Sequence, residues 1–441
     1  MTAEHITLGF FLAGLTFCVL TGTEVLFALL FGLVCFSLYS IRRGNSPGRT
    51  CSMLLEGASR VSNILIIFVL IGCLTASWRI CGAIPFILYH AVSLIQPRYF
   101  VLCTFLLCSM MSFLTGTSFG TVSTMGVICM LISNAAGLDP LLTGGAVLSG
   151  IFFGDRCSPM SSSAQLVCSL TDTDIYTNIK NMVRSGLIPF LVSCFLYVIL
   201  AGQSAGEPDL TIVALFKDHF SLHWITALPA LLILGLALMH VNVKYAMTAS
   251  ILAAVAIALF LQNTAPAEML RILWTGYRAE TGTRLAELMN GGGIQSMVKA
   301  GLIVLISSSY SGIFSHTGLL SGIKKTMADS ARFLTPFGTV TLTSLFACAV
   351  SCNQSLGTIL TCQICEGLYE KKEELALALE DTSILLAALI PWGIAGAVPV
   401  ATIGASMSCL FLAFYLYLVP LWGILLAMFR HSRRFPSATS A

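Results

Sequence analysis

The sequence predicts an all-α membrane protein that crosses the bilayer many times. Of its 441 residues, 56% are hydrophobic and 10% are charged, whereas about 25% of residues are charged in an ordinary soluble domain. Apolar runs long enough to cross a bilayer, roughly 20 residues each, recur from one end of the chain to the other. We therefore expect about 10 to 14 transmembrane helices, with no sizeable soluble domain between them.

Both ends of the chain carry positive charge. The predicted N-terminal helical hairpin, residues 1–55, leads into one basic cluster, and the predicted tail, residues 431–441, begins in another. The two clusters are Arg42, Arg43 and Arg49, and Arg430, His431, Arg433 and Arg434. Because basic loops stay in the cytoplasm, we expect both termini there and an even number of crossings of the cell (inner) membrane.

Composition disfavours several other classes of protein. A net charge of +3, with no basic block interleaved with aromatic residues, does not indicate a nucleic-acid partner. The 16 cysteines lie mostly in apolar runs, where cysteine behaves as a small hydrophobic residue. No Walker A, HExxH or nucleophile-elbow motif occurs. We expect a protein that is not an enzyme, has no cofactor beyond a possible bound Na+, and draws energy from gradients rather than ATP.

One polar segment interrupts the apolar runs of the first half. Within residues 115–124, six residues carry hydroxyl groups and two are glycines. This composition is typical of a helix that is broken inside the bilayer, where its freed backbone groups line a cavity. The alternative is an unbroken helix in which Ser and Thr hydroxyls bond to carbonyls of the preceding turn.

The chain contains an internal repeat. Residues 118–124 match residues 355–361, 237 positions later (355 − 118), with Ser, Gly, Thr and Thr in register. Gly82 matches Gly318 at an offset of 236, as residues 57–70 match 293–306. Duplicated halves with matching breaks are typical of secondary transporters. Whether the halves are inverted or parallel depends on whether each has an odd or an even number of crossings.

The repeat defines the expected domains. We place transport repeat 1 at residues 56–201, connecting helices and an interfacial linker at 202–291, and transport repeat 2 at 292–430.

Each half also carries acidic residues after its polar break. Asp155 follows the apolar run 146–153, and Glu380 and Asp381 open the apolar run that stops at Pro391-Trp392. Ionisable residues at membrane depth usually serve a function. Each set has a simpler interpretation, as the polar cap of a helix or as a complement to the helix dipole. Together with the repeat, a role in binding a cation or proton is favoured.

These segments resemble the NhaC family of Na+/H+ antiporters over roughly residues 55–405. The most specific elements are Gly-Asp-(Lys/Arg)-x-Ser-Pro and Leu-Glu-Asp to Pro-Trp. The resemblance rests on the break at 115–126, Gly154-Asp155-Arg156 with Ser158-Pro159 and Ser161, Thr173-Asp174 with Asn178 to Met182, Gly276-Tyr277, Thr281-Gly282, Gly292-Gly293, Ser296-Met297, Thr317-Gly318, and Leu379-Glu380-Asp381 through Pro391-Trp392.

The resemblance implies a secondary carrier that exchanges Na+ for H+. Some family members move organic anions or amino acids in the exchange, and the superfamily further implies an elevator-like motion and a homodimer. Two acids and two polar groups of the family pattern are absent here. The positions that depart from it are Ser162 in place of an acid, Cys352-Asn353-Gln354 in place of Gly-Asp-Gln, and Gly393-Ile394-Ala395 in place of Asn-Thr-Cys.

Two functional hypotheses follow. The first is Na+/H+ exchange in which Asp155 and Asp381 alternately bind a proton or Na+, with Glu380 and Asn353 as further ion- or proton-binding residues. The second keeps the carrier but changes the cargo to a small carboxylate or amino acid, moved with Na+ or H+. The hydroxyl groups expected to bind such a solute are those of Ser118, Thr121, Ser123, Ser158, Ser355 and Thr358.

A third class, an intramembrane aspartyl protease, would require a glycine where Phe152 stands and is disfavoured.

Overall fold

The computed structural model describes residues 3–21, 23–94, 96–204, 220–239, 241–279, 289–319 and 334–434. Within these ranges the chain forms helices and no β-strand longer than an isolated bridge. Four longer stretches lie outside the described residues: 205–219 and 280–288 of the predicted connection and linker, the latter including Thr281 and Gly282, 320–333 of transport repeat 2, and 435–441 of the tail.

The helices fall into four groups along the chain. The first is α1 (Ala3–Thr21), α2 (Val25–Arg42) and α3 (Pro47–Ser59). The second is α4 (Ser62–Ile80), α5 (Ala83–Leu94), α6 (Pro97–Thr115), α7 (Ser118–Thr121), α8 (Val127–Ala135), α9 (Pro140–Cys157), α10 (Ser162–Thr171) and α11 (Ile175–Ser204). The third is α12 (Leu228–Leu238), α13 (Val243–Phe260) and α14 (Pro266–Thr275). The fourth is α15 (Ile294–Thr317), α16 (Pro336–Ser351), α17 (Gln354–Cys365), α18 (Lys372–Leu386), α19 (Ile394–Ile403) and α20 (Phe414–Arg434).

The predicted class, an all-α polytopic membrane protein, is confirmed. In the described ranges, six helices are long and apolar enough to cross a membrane, or up to seven if the pair α18 and α19, bent by 54°, forms one span. This number is below the 10 to 14 expected from the sequence. Breaks divide several apolar runs into shorter helices, among them Ser118–Asn134 and Pro336–Ser351. The proposed domain boundaries stay a prediction.

The first polar segment is a break followed by a bonded helix. α6 ends at Gly116, whose φ of 66° is left-handed, and Thr117 is extended and caps α7 by accepting a hydrogen bond from the Gly120 amide at 3.2 Å. After the break, hydroxyl groups such as those of Thr121 and Ser123 donate to carbonyls of the preceding turn. Both interpretations of residues 115–124 therefore apply, one to each end of the segment.

The second break has the same local geometry as the first. α16 ends at Cys352, whose φ of 55° is left-handed, and the extended Asn353 caps α17 by accepting from the Leu356 amide at 3.1 Å. Cys352 lies 236 positions after Gly116 (352 − 116), which is the offset of the Gly82/Gly318 match and one less than that of the match between 118–124 and 355–361. A left-handed conformation is unusual for a residue other than glycine. Cys352 therefore adopts it because the turn requires it, and not because of its own preference.

Close contact with α6 sets the position of the end of α9. A Cβ atom on Gly154 would lie 2.1 Å from the Ser112 carbonyl carbon, and one on Gly150 would lie 2.6 Å from Cys108 Cβ. Glycines four residues apart allow membrane helices to approach backbone to backbone. Because Asp155 follows Gly154 directly, this contact holds the carboxylate at a defined depth beside α6.

We predict that Gly154→Ala destabilises the protein, because the new methyl group meets backbone atoms that cannot move aside. Overpacking of a tight core costs about 1–3 kcal/mol. Thermal unfolding of the purified variant in detergent measures the effect. Gly235→Ala on α12 is the matched control, since no atom lies within 4 Å of its added Cβ. Equal unfolding temperatures for the two variants would show that the α6–α9 contact is not tight.

Candidate ion-binding site

Asp155 is a buried carboxylate that is held only by neutral donors. It lies in the last turn of α9 with 3% of its surface exposed. Its Oδ2 accepts from Ser163 Oγ at 3.0 Å and from Gln354 Nε2 at 3.2 Å, and its Oδ1 accepts from Ser161 Oγ at 3.2 Å. None of these donors carries a formal charge. The negative charge of an ionised Asp155 is therefore solvated by dipoles and is not cancelled.

The carboxylate joins the two halves of the chain. Gln354 is the first residue of α17, directly after the second break, and its Nε2 also donates to the Ile384 carbonyl of α18 at 3.0 Å. At the first break, a Cβ on Gly116 would lie 2.5 Å from Met160, in the turn between α9 and α10. Asp155 consequently lies at the end of α9, where the following turn packs against the first break. The side chain of Asp155 contacts the second break through Gln354.

Arg156 and Asp381 form a buried ion pair beside this site. Arg156 has no exposed surface, and its Nε donates to Asp381 Oδ1 at 3.0 Å while Nη2 bonds to the same oxygen. Nη1 donates to Tyr415 Oη at 2.9 Å, and Nη2 also donates to Ser185 Oγ at 2.7 Å and the Met182 carbonyl at 3.0 Å. All three guanidinium nitrogens thus have partners from α11, α18 and α20.

Glu380 is buried and has no hydrogen-bond partner in the described part of the chain. It has no exposed surface, and neither of its carboxylate oxygens is bonded. Asp155, Arg156 and Asp381 are close enough to interact with it electrostatically. A charged carboxylate without a partner is costly to bury, so this arrangement suits a protonated Glu380.

Three of the six predicted solute-binding hydroxyls bond to the preceding turn of their own helical segment. Thr121, Ser123 and Thr358 each donate to the carbonyl four residues earlier, at 2.8 to 2.9 Å. Ser158 caps α9, where its Oγ accepts from the Met160 amide at 3.2 Å. Ser355 is exposed.

Ser118 is buried near the first break, and Asn353 caps α17. In the described part of the chain, no hydrogen bond joins any of these residues to Asp155 or Asp381. Their roles in binding a solute or an ion stay a prediction.

Sequence reasoning missed the residues that contact Asp155. Ser161 and Ser163 lie in the same hydroxyl-rich stretch as Asp155, and Gln354 follows the second break, so the signal was present in segments already singled out. Arg156 was noted only as the neighbour of Asp155, yet its partner lies 225 residues away. In the described residues, no three His, Cys, Asp or Glu side chains form a group that could hold a metal ion.

Comparison with known proteins places these features in a family. Residues 150–430, more than half of the chain, match the model of the Na+/H+ antiporter family. The chain belongs to this family. The match includes Asp155, Gln354, Glu380 and Asp381, and the resemblance to NhaC proteins is confirmed. Members of the Na+/H+ antiporter family are transporters and not enzymes.

Relatives within the family carry several cargoes. The chain is 29% identical to the Na(+)/H(+) antiporter NhaC of Alkalihalophilus pseudofirmus, covering 85% of this chain and 83% of the relative. It is 28% identical to the malate-2H(+)/Na(+)-lactate antiporter of Bacillus subtilis, covering 91% and 88%. It is 27% identical to the arginine/ornithine antiporter ArcD of Halobacterium salinarum, covering 88% and 83%.

In this antiporter-family protein, the Arg156–Asp381 pair should be essential to the fold. Removing one partner of a buried ion pair costs about 3–5 kcal/mol, because the other charge is left uncompensated. We expect Arg156→Met to lower the unfolding temperature strongly, and the double variant Arg156→Met/Asp381→Leu to recover most of the loss. Thermal unfolding in detergent measures both.

The matched control is Arg271→Met, which removes an exposed contact with Glu268 at 3.9 Å and should cost little. A double variant that is as unstable as the sum of its single variants would show that the pair does not couple these helices.

Proposed function

We propose that the protein is a secondary active transporter that exchanges Na+ for H+, with Asp155 as the carboxylate that both ions share. The observation that carries this proposal is the environment of Asp155, which is buried, central to both halves, and free of any basic partner among the described residues. Membership of the Na+/H+ antiporter family supports it.

A carboxylate in this setting binds one of two cations. Burial without a compensating charge disfavours the empty ionised form, so either a proton or Na+ on Asp155 is better than neither. Since both ions need the same oxygens, binding one displaces the other. Exchange then follows from competition alone, provided that the occupied site alternates between the two sides of the membrane.

The neutral partners of Asp155 suit both occupants. Hydroxyl groups and amides can donate to a carboxylate or offer oxygen to a cation. The Oε1 atom of Gln354 lies 3.4 Å from Ser163 Oγ, and rotation of the amide would turn that oxygen towards Asp155. Sodium prefers oxygen ligands, as other hard cations do. The missing acids of the family pattern at Ser162 and Asn353 leave Asp155 as the charged ligand.

Asp381 has a different role in this proposal from the one expected from the sequence. Its partner Arg156 already supplies a fixed positive charge, so Asp381 does not need a proton or Na+ for compensation. We assign to it the anchoring of Arg156, which fixes the end of α9 against α11, α18 and α20.

A second cargo is favoured by two relatives. The malate/lactate and arginine/ornithine antiporters support the alternative in which a small carboxylate or amino acid moves with Na+ or H+. Every guanidinium nitrogen of Arg156, the residue after Asp155, already has a protein partner, which leaves none for a solute carboxylate and favours inorganic exchange. Thermal-shift screening against carboxylates and amino acids separates the two cargoes, because only the alternative expects stabilisation by a particular solute.

We also propose the setting of the transporter. It is a multi-pass protein of the cell (inner) membrane with both termini in the cytoplasm, as Arg42, Arg43 and Arg49 at the end of the first hairpin indicate. The side chains of the matching C-terminal cluster, 430–434, lie outside the described part of the chain. The superfamily resemblance suggests a homodimer.

We predict that Asp155→Asn abolishes exchange. In vesicles with an imposed pH gradient, addition of Na+ should dissipate the gradient through the unaltered protein and leave it intact with the variant, because an amide neither releases a proton nor carries charge for Na+. A fluorescent pH indicator records the response.

Glu268→Gln is the matched control, since Glu268 is exposed and lies 3.9 Å from Arg271 on the surface. It should exchange normally. Responses of Asp155→Asn equal to those of the unaltered protein would remove Asp155 from the mechanism.

A further inference from the structure

We infer that Glu380 is a proton relay, which passes protons between Asp155 and the surface where α10 meets α11, and that it does not bind Na+. This inference rests on the proposed function, because it assigns the route by which the proton of the exchange reaches the shared carboxylate.

The surroundings of Glu380 do not explain its presence as a residue that stabilises the fold. A carboxyl group that stabilises a fold does so through hydrogen bonds or an ion pair, and Glu380 forms neither with the residues that the structure describes. A hydrophobic side chain of similar size would fill the same space in α18 at lower cost. An ionisable residue kept at membrane depth without a partner is best explained by a proton that it gains and loses.

Charged and titratable groups on three helices interact electrostatically with Glu380. Those that interact with it electrostatically are Asp155, Arg156 and Cys157 on α9, Cys168 on α10, and Asp381 on α18. Arg156 and Asp381 cancel each other, so Asp155 and Glu380 are the two acids left without compensation. Two such carboxyl groups that interact in a medium of low dielectric do not both stay ionised. A proton lost by one is therefore retained or taken up by the other.

Polar groups continue from Glu380 towards the surface. Cys168 accepts from Asn178 Nδ2 at 3.2 Å, and the same amide nitrogen donates to Thr173 Oγ1 at 2.7 Å. Asn178 is 1% exposed, and its Oδ1 has no partner. The route from Glu380 thus contains a second buried oxygen with free acceptor capacity. Protons cross such gaps through positioned side chains and intervening water.

The route ends at two exposed acids. Thr173 lies between Asp172 and Asp174, outside the membrane-spanning helices. The hydrogen bond from Lys372 lowers the pKa of Asp172, and the hydrogen bond from the Thr177 amide lowers the pKa of Asp174. Both therefore remain ionised at neutral pH and attract protons to this end of the fold.

The Na+-loading half of the cycle balances as follows. Glu380 releases its proton towards Asn178 and the surface, which breaks its O–H bond and leaves a carboxylate. Na+ then displaces the proton of Asp155, which forms a new O–H bond on Glu380. One H+ has been released for the one Na+ that was bound. Glu380 is protonated again, and the negative charge of Asp155 is neutralised by Na+.

Two assays on the same proteoliposomes test the relay. Na+/H+ exchange is followed by the Na+-driven loss of a pH gradient, and Na+/Na+ exchange is followed with radioactive sodium at equal Na+ concentrations on both sides, which moves no net protons. For Glu380→Gln we expect Na+/H+ exchange to fall by about tenfold or more, with Na+/Na+ exchange within about twofold of the unaltered protein. Glu374→Gln, an exposed acid on the same helix, is the matched control and should change neither rate.

The alternatives give different results. Unchanged Na+/H+ exchange in Glu380→Gln overturns the relay, and loss of both exchanges in a folded variant overturns it by making Glu380 a Na+ ligand. If Glu380→Gln does not fold, Glu380→Asp replaces it, and its shortened acid should slow Na+/H+ exchange alone. Absence of Na+/H+ exchange in the unaltered protein contradicts the proposed function itself. Asp155→Asn should lose both exchanges, so it distinguishes failure of the proposed function from failure of the relay.

Discussion

The ion pair between Arg156 and Asp381 is the contact on which the rest of the site depends. Inside a membrane, a charge without a partner is very costly, and this pair cancels two charges that lie 225 residues apart in the chain. It draws together α9, α11, α18 and α20, while the contact of Gly154 with Ser112 holds α9 against α6. Asp155 lies between these two fixed points, so its position requires no contribution from any bound ion.

Asp155, Glu380 and Asp381 have different surroundings, and each environment suits a different role. Asp381 has a permanent cation, Asp155 has neutral donors, and Glu380 has no hydrogen-bond partner among the described residues. In the proposed mechanism the same carboxyl chemistry serves as an anchor, an exchange site and a proton carrier, because the surroundings of each acid decide which form is stable.

Local features of the chain were predictable from its sequence, and long-range contacts were not. Composition gave the all-α membrane class, and the Ser, Thr and Gly residues at 115–124 marked a break, because both signals lie within short segments. The pairing of Arg156 with Asp381 and the bond from Gln354 to Asp155 depend on how distant helices pack, which no local pattern encodes. Fewer helices of the described chain reach full spanning length than the sequence suggests, because apolar runs are divided by turns that hydropathy does not detect.

The central claim is that one buried carboxylate is shared by Na+ and H+, and proton release measures this directly. Na+ is added to the purified protein in weakly buffered detergent solution, and the change in pH is compared with that caused by choline. The account predicts that Na+ displaces about one proton for each ion bound, and that choline displaces none. Sodium that binds without releasing a proton would contradict it.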